Sequence, residues 1–307
     1  MSEAKDTVEG NTKKHLKSGN QENSVLNDLK KSGFPLEIYA GSAFSNRGWN
    51  VRHQAIFKDE AETKYIDLIA SKSLWAGRGQ FGRFKNLVVT VLCECKKSEN
   101  TSWVFYTPPS SIQDMVVAFR YLKRVIGKSQ EIDIADLPVL LKSHYFSHGS
   151  KDRFAQANHP AFTRTNKSQN SPQGHNQINA AINHVIRGTL FHVQNPDMLT
   201  ILLPDVLVLL YPLVVLDGSM YEYVLNEEGI PKIDKSSYLK YFATLAGPLQ
   251  TWKSPERTFT RASEEEFLID IVTKERLPDY LKWLEDEIGA IASLVTTTEK
   301  SPLPANG

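Results

Sequence analysis

At 307 residues, with 41% hydrophobic and 23% charged side chains and a formal net charge of +1, the chain has the composition of a globular protein long enough to bury a full core in one large or two modest units. Nothing in it is fibrous or repetitive, and no glycine-rich phosphate loop of the Walker or dinucleotide type is present, so an ATPase or a nicotinamide enzyme is not supported. The near-neutral total hides an asymmetry: residues 30–167 hold 21 Lys and Arg against 12 Asp and Glu, net +9, whereas residues from 168 onward hold 11 against 18, net −7. A surface for a polyanion belongs in the first half, unless the two blocks only solvate two faces.

Residues 1–29 lack the apolar run of a signal peptide and read as a solvated, disordered lead, which points to a cytoplasmic protein. Pro35 suits a first helical turn, and Leu36, Ala40, Ala43 and Phe44 recur at helix spacing before Gly48, predicting a helix of about three turns. Three strands follow in quick succession: WNVRHQAIFKD, KYIDLIASK and the long apolar NLVVTVLCECKKS, with TSWVFYTPP as a short fourth. SSIQDMVVAFRYLKRVIG, with caps at Ser110 or Ser111, reads as an amphipathic helix with Arg120, Lys123 and Arg124 on a basic face.

Residues 143–177 form a long polar loop by composition; His144 and His148 there lack further ligands for a zinc shell. NQINAAINHVIRGTLFHV resumes helix periodicity. LTILLPDVLVLLYPLVVLDG is interrupted by Pro204, Asp205 and Pro212 and so reads as packed strands and not as a membrane span, with a turn expected at Asp217-Gly218. The stretch from Ser263 begins with a capping box to Glu266 and predicts two acidic helices split at Pro278, their apolar faces suited either to the core or to a homodimer seam. The expected organisation is therefore a lead over 1–29, a core over 30–225, a helical region over 226–295 and a disordered tail over 296–307. The fold class is α/β, a mixed central sheet flanked by helices.

Two interruptions carry the chemistry. Charges inside apolar strands are costly unless paired or bound to a metal. In VLCECKKS, a period of two puts Leu92, Glu94 and Lys96 on one face and Cys93, Cys95 and Lys97 on the other. Adjacent same-face cysteines are poorly placed for a disulfide, which fits a reducing compartment. In KYIDLIA the same period puts Asp67 on one face with Tyr65 and Ile69, and Ile66, Leu68 and Ala70 on the other, so the carboxylate sits among buried neighbours and needs a cation. If Asp67 and Glu94 share a face, two hard oxygen ligands and an ammonium converge, a set suited to magnesium with waters and phosphate oxygens completing its octahedron. The competing explanations are an exposed strand end with a cross-strand ion pair for Glu94 and Lys96, and a strand-edge or turn aspartate for Asp67.

At these residues the chain resembles the PD-(D/E)XK, or restriction-endonuclease-like, nuclease superfamily. Its signature is an acidic residue interrupting one strand and Glu-x-Lys on the next, often with a glutamate on the preceding helix. Here these are Asp67, Glu94-Cys95-Lys96, and Glu37 in FPLEIYA. The order helix, strand, strand, strand, helix from Pro35 to Ile126 is also similar to that family's core; isoleucine replaces proline before Asp67, and residues 143–177 have no counterpart. The resemblance implies a magnesium-dependent nuclease, with manganese as a substitute, acting on DNA rather than RNA: Asp67 and Glu94 as metal ligands, Lys96 stabilising the transition state, Glu37 as a further catalytic acid. A glutamate in a first helical turn is equally explained by the dipole; the resemblance also offers Gln113 as an active-site glutamine, as in some relatives, which a helix-capping role explains as well or better.

Between the second and third strands, SKSLWAGRGQFGRFKN brings Lys72, Arg78, Arg83 and Lys85 together with Trp75, Phe81 and Phe84 and no acid, a composition for phosphate contacts and base stacking or for a loose hairpin covering the core. Two other function classes stay open: an inactive nucleic-acid-binding module on this fold, and a scaffold whose acidic C-terminal helices hold a partner.

Overall fold

Pro35 presets the first turn of a helix whose Leu36, Ala40 and Phe44 fall on one side and are buried, and the chain turns out of it through Gly48 at φ +75°. In the computed structural model, which describes residues 22–29, 32–59, 62–75, 86–107, 122–126, 160–165, 172–194, 206–226, 228–253 and 258–297, this helix is α2 (Phe34–Ser45), preceded by an exposed α1 (22–29). There follow β1 (Asn50–Asp59), β2 (Glu62–Trp75), β3 (Asn86–Thr107), β4 (Leu122–Ile126), β5 (Pro160–Thr165), α3 (Pro172–Gln194), β6 (Val206–Leu225), β7 (Pro231–Ser236), β8 (Tyr238–Lys253), β9 (Thr258–Thr273), a 3-10 turn (Lys274–Arg276) and α4 (Leu277–Thr297).

The strands form one mixed sheet in the order β1-β2-β3-β6-β9-β8. The β1-β2-β3 pairs are antiparallel, β3 and β9 each run parallel to β6, and β4, β5 and β7 add antiparallel partners to β6, β3 and β6. Parallel neighbours need a crossover, and α3 lies in the connection from β3 to β6. The protein is thus α/β with helices on both faces of a mixed sheet. On one face Leu36, Ala40 and Phe44 of α2 and Leu281 and Leu284 of α4 pack on Leu68, Val91, Cys93, Tyr211 and Val215. On the other, Ile178, Ala181, Ile182 and Val185 of α3 pack on Ile69, Leu92, Val214 and Ile271. Each fully buried Val, Leu, Ile or Phe side chain among them contributes about 1.5–3 kcal/mol relative to exposure. Strand β3, buried on both faces, is the central element its apolar run predicts.

Several expectations need correction. Of TSWVFYTPP, residues 101–107 are not a separate strand but the end of β3, after a register shift between Ser98 and Ser102, and 108–109 lie outside the described residues. Leu122–Ile126, expected as the end of a basic helix, is β4. Residues 110–121 and 127 of that segment lie outside the described residues. The polar stretch over 143–177 contains β5 and the start of α3; its remainder, with His144 and His148, is outside them, as are 1–21 and 298–307.

Asp217-Gly218 makes no turn: β6 runs straight through it, because Gly218 lets the strand approach the Ser98 backbone of β3. The region from Ser263 is not two helices. Its first part is β9, whose Ile269 and Ile271 face the α3 layer while Asp270 and Val272 face away, a strand alternation that overrides the local capping pattern, and a single helix starts at Leu277 with Pro278 in its first turn. Among the described residues, 226–295 therefore carry three strands before one helix. That helix spends its apolar face, Leu277, Tyr280, Leu281, Leu284 and Ile288, on the core. Among the described residues no helix is long and apolar enough to cross a membrane.

A Cβ at position 218 would meet the Ser98 carbonyl oxygen at 2.8 Å and its Cβ at 3.0 Å, and neither can move without the strand. Gly218→Ala is expected to cost about 1–3 kcal/mol, read as a lower urea midpoint. Gly41→Ala, whose Cβ would meet mainly the imidazole of exposed His53, is expected to cost less.

A candidate active site where the β2–β3 ladder opens

Strands β2 and β3 pair from Trp75↔Asn86 to Leu68↔Cys93 and then part. On that edge β3 next pairs at Thr101, with β5, while its other edge stays bonded to β6 through Glu94↔Val214 and Lys96↔Leu216. The parting falls where β1 and β2 also lose one rung: Val51 to Asp59 match Ala70 to Glu62 except at Gln54 and Asp67. Gln54 has φ +49°, a left-handed conformation that costs a non-glycine residue about 1–3 kcal/mol.

The irregularity also moves side chains from face to face. Leu68 and Ala70 lie in the α2–α4 layer, but Ile66, two residues before Leu68, lies in the α3 layer. The strict alternation expected for KYIDLIA fails at Asp67 itself. There the carboxylate replaces the missing rung: its Oδ2 accepts the Cys95 backbone N–H at 2.7 Å. A backbone donor left open by the fork is thereby satisfied by an acid.

Glu94 and Lys96 share a face as their spacing predicts. Glu94 is 1% exposed, which rules out the exposed strand end. Its Oε1 accepts from Lys96 Nζ at 2.5 Å, and its Oε2 lies 2.9 Å from His184 Nδ1 on α3. Burial disfavours the Lys96 ammonium, but the charge and hydrogen bond of Glu94, with Asp67 behind it, outweigh burial and hold its pKa above the ordinary value. Lys96 is therefore a cation at neutral pH and not a base.

For Asp67, burial is the largest influence and Glu94 the next; against the Cys95 N–H and Lys96, and with Glu37 adding repulsion, they raise its pKa from 3.8 to about 6. Glu37, 9% exposed in the first turn of α2, accepts a long bond from Gln54 Nε2 at 3.4 Å. Thus the structure brings Asp67, Glu94, Lys96 and Glu37 into one electrostatic group, held by β2, β3 and α2. Among the described residues no three or more His, Cys, Asp or Glu side chains are arranged to hold a metal by themselves.

Lys72 is not part of it. It sits roughly 16 Å along β2 from Asp67 at about 3.3 Å per residue. Its ammonium donates to Glu285 Oε1 at 2.8 Å and to the Arg47 carbonyl at 3.0 Å and lies over the Trp49 ring. With Arg47 and Trp49 also donating to Glu285, at 2.9 and 3.1 Å, it ties α4 to the β1–β2 edge. Arg78, Arg83 and Lys85, and Gln113 and Arg120, lie outside the described residues, as do the side chains of Lys123 and Arg124. Cys93 and Cys95 are free thiols with sulfurs 4.0 Å apart; the Cys93 bond and burial push the Cys95 thiol well up, leaving it protonated and inert.

Sequence reasoning missed Gln54 and His184. No local signal marks Gln54. His184 stands beside the apolar stripe of Ala181, Ile182 and Val185, so a polar side chain aimed near the sheet was legible, but its partner was not. The chain matches no family model, no curated protein and no solved structure.

The Asp67 shift sets a sign. Unfolded, the carboxyl has an ordinary pKa near 3.8; folded, about 6. The folded state holds this proton more tightly, so the stabilisation is full below about pH 4 and lost as pH rises through 6, leaving a cost of roughly 2–3 kcal/mol above it. Asp67→Asn keeps an oxygen acceptor for Cys95 and removes the charge. In EDTA it is expected to be more stable than the parent by about 1–3 kcal/mol at pH 8 and to lose that advantage at pH 4. Urea unfolding at both pH values checks this; an equal effect at both would contradict the assignment.

Proposed function

We propose that the chain is a metal-dependent nuclease that hydrolyses phosphodiester bonds, in DNA before RNA, on a restriction-endonuclease-like core. The observation that carries this reading is the fork itself: a broken ladder where Asp67 caps the Cys95 N–H beside the Glu94–Lys96 pair. The helix α2 before three antiparallel strands, and α3 and a parallel β6 after them, support the same reading.

Magnesium is the cation these residues suit. Glu94 and Glu37 both act on Asp67, whose pKa is raised first by burial and then by the Glu94 charge against the pull of Lys96, so a cation beside Asp67 would favour its charged form. Asp67 and Glu94 would hold it. Each carboxylate oxygen that already accepts one hydrogen bond keeps a second lone pair, and magnesium takes only one or two protein carboxylates and fills the rest with water and phosphate. When bound, it supplies Lewis-acid polarisation of a phosphoryl oxygen and a water of lowered pKa.

The chain's own residues do the remainder. Lys96, kept cationic by Glu94, offers positive charge where negative charge grows on the phosphoryl group. Glu37 closes the helix α2 side of the site with a carboxylate that can accept a proton or orient a water. The basic segment holding Arg78, Arg83 and Lys85 is the candidate for backbone phosphates.

Purified protein on plasmid and oligonucleotide DNA and on RNA, with magnesium and with EDTA, tests the reading. Metal-dependent cutting is expected, falling about 100–1,000-fold in Lys96→Ala and at least as far in Glu94→Gln and Asp67→Asn, while nucleic-acid binding persists in Lys96→Ala. Absence of metal-dependent cutting by the unaltered chain on every substrate would overturn it, and retained binding would then favour the inactive module.

A further inference from the structure

Glu94 is fixed from two directions. Lys96, on its own strand, takes one oxygen; His184, from a helix on the α3 face of the sheet, takes the other at 2.9 Å. A carboxylate only accepts, so the imidazole must donate through an Nδ1–H, which fixes which edge of the ring faces Glu94 and turns Nε2 away. The ring is held as well, tilted at 49° against Phe57 with centroids 5.2 Å apart, and Phe57 is fully buried. One turn further along α3, Gly188 lets the helix lie against Phe57 and Ile66, the residue before Asp67. The helix, the phenylalanine and the fork are therefore packed as one piece, with His184 as the polar contact from α3 to the acid.

We propose that His184 is a positioning residue: by holding Glu94 Oε2 it keeps the carboxylate in the orientation that binds the cation, and so sets the affinity of the site for magnesium. This rests on the reading of Asp67 and Glu94 as a magnesium site. Carboxylates that ligate metals are themselves hydrogen-bonded, and losing such a partner typically weakens metal binding about 10–100-fold. Without the donor, Glu94 is free to swing wholly to Lys96, and one ligating oxygen loses its fixed place.

Direct magnesium titration of the full chain by calorimetry tests this with three variants. His184→Phe keeps a ring against Phe57 and removes the donor; His184→Ala removes both; His184→Asn replaces the ring but presents an amide N–H near the place of Nδ1. Binding about 10–100-fold weaker is expected in His184→Phe and His184→Ala, with recovery toward the parent in His184→Asn. In cutting assays the magnesium concentration for half-maximal rate should rise by the same factor while the rate at saturating magnesium is kept, a split that mere loss of folded protein would not give. Unchanged or tighter binding in a folded His184→Phe, or no recovery in His184→Asn, overturns the proposal and leaves the metal site standing. No magnesium binding by the parent, or equal binding by Glu94→Gln, overturns the metal site and with it this role.

Discussion

The Cys95 backbone N–H is the group around which the candidate site is organised. A central strand cannot leave a buried donor open, because an unsatisfied polar group costs about 1–3 kcal/mol. Where β2 turns away from β3, that donor needs a partner, and the acceptor supplied is the Asp67 carboxylate at 2.7 Å. One bond thus closes the ladder for the backbone and fixes an acid between two strands. Everything else at the site is arranged about it: Gln54 in its left-handed conformation opposite, Glu94 and Lys96 on the adjoining face, and Glu37 within electrostatic reach from α2.

The arrangement works against stability. Asp67 is held partly out of water beside two other acids, and its pKa rises to about 6 as a result. Gln54 adds backbone strain next to it. Such penalties persist when the surroundings over-determine the geometry, and here they do. Strand β3 is bonded to β6 across Glu94 and Lys96, both faces of the sheet are covered, and the Glu285 cluster of Arg47, Trp49 and Lys72 anchors α4 over the far end of β2. Lys72, which by composition belongs with a phosphate-binding segment, is instead a strut of that frame. Its exposed appearance in the sequence reflects only that Glu285, more than two hundred residues away, is invisible from position 72.

Much of the fold was legible where one face of an element is buried and local geometry agrees with burial. Helix α2, strands β1 and β2, the central β3 and the shared face of Glu94 and Lys96 are all of this kind. The failures share a different cause. Residues 263–273 carry a helix-capping pattern, yet they pair with β8 and, near their end, with β6; sheet hydrogen bonds and burial of Ile269 and Ile271 outweigh a local cap. Asp217-Gly218 has turn chemistry, yet its glycine serves close approach to Ser98. Propensity reads a residue with its chain neighbours, and these positions are decided by strands far along the chain.

By itself the sequence determined that two acids and an amine interrupt apolar strands, and, through the period of two, that Glu94 and Lys96 lie together. It did not determine where Asp67 points, because an irregularity at Gln54 and Asp67 suspends the very alternation on which that reading depends. Nor did it supply His184, whose helix meets Glu94 only after the crossover from β3 to β6 has folded α3 back over the sheet. A strand's periodicity is local, so it is written in the chain; the convergence of a fork, a helix and a second helix on one carboxylate group is set by packing, and only the tertiary structure contains it.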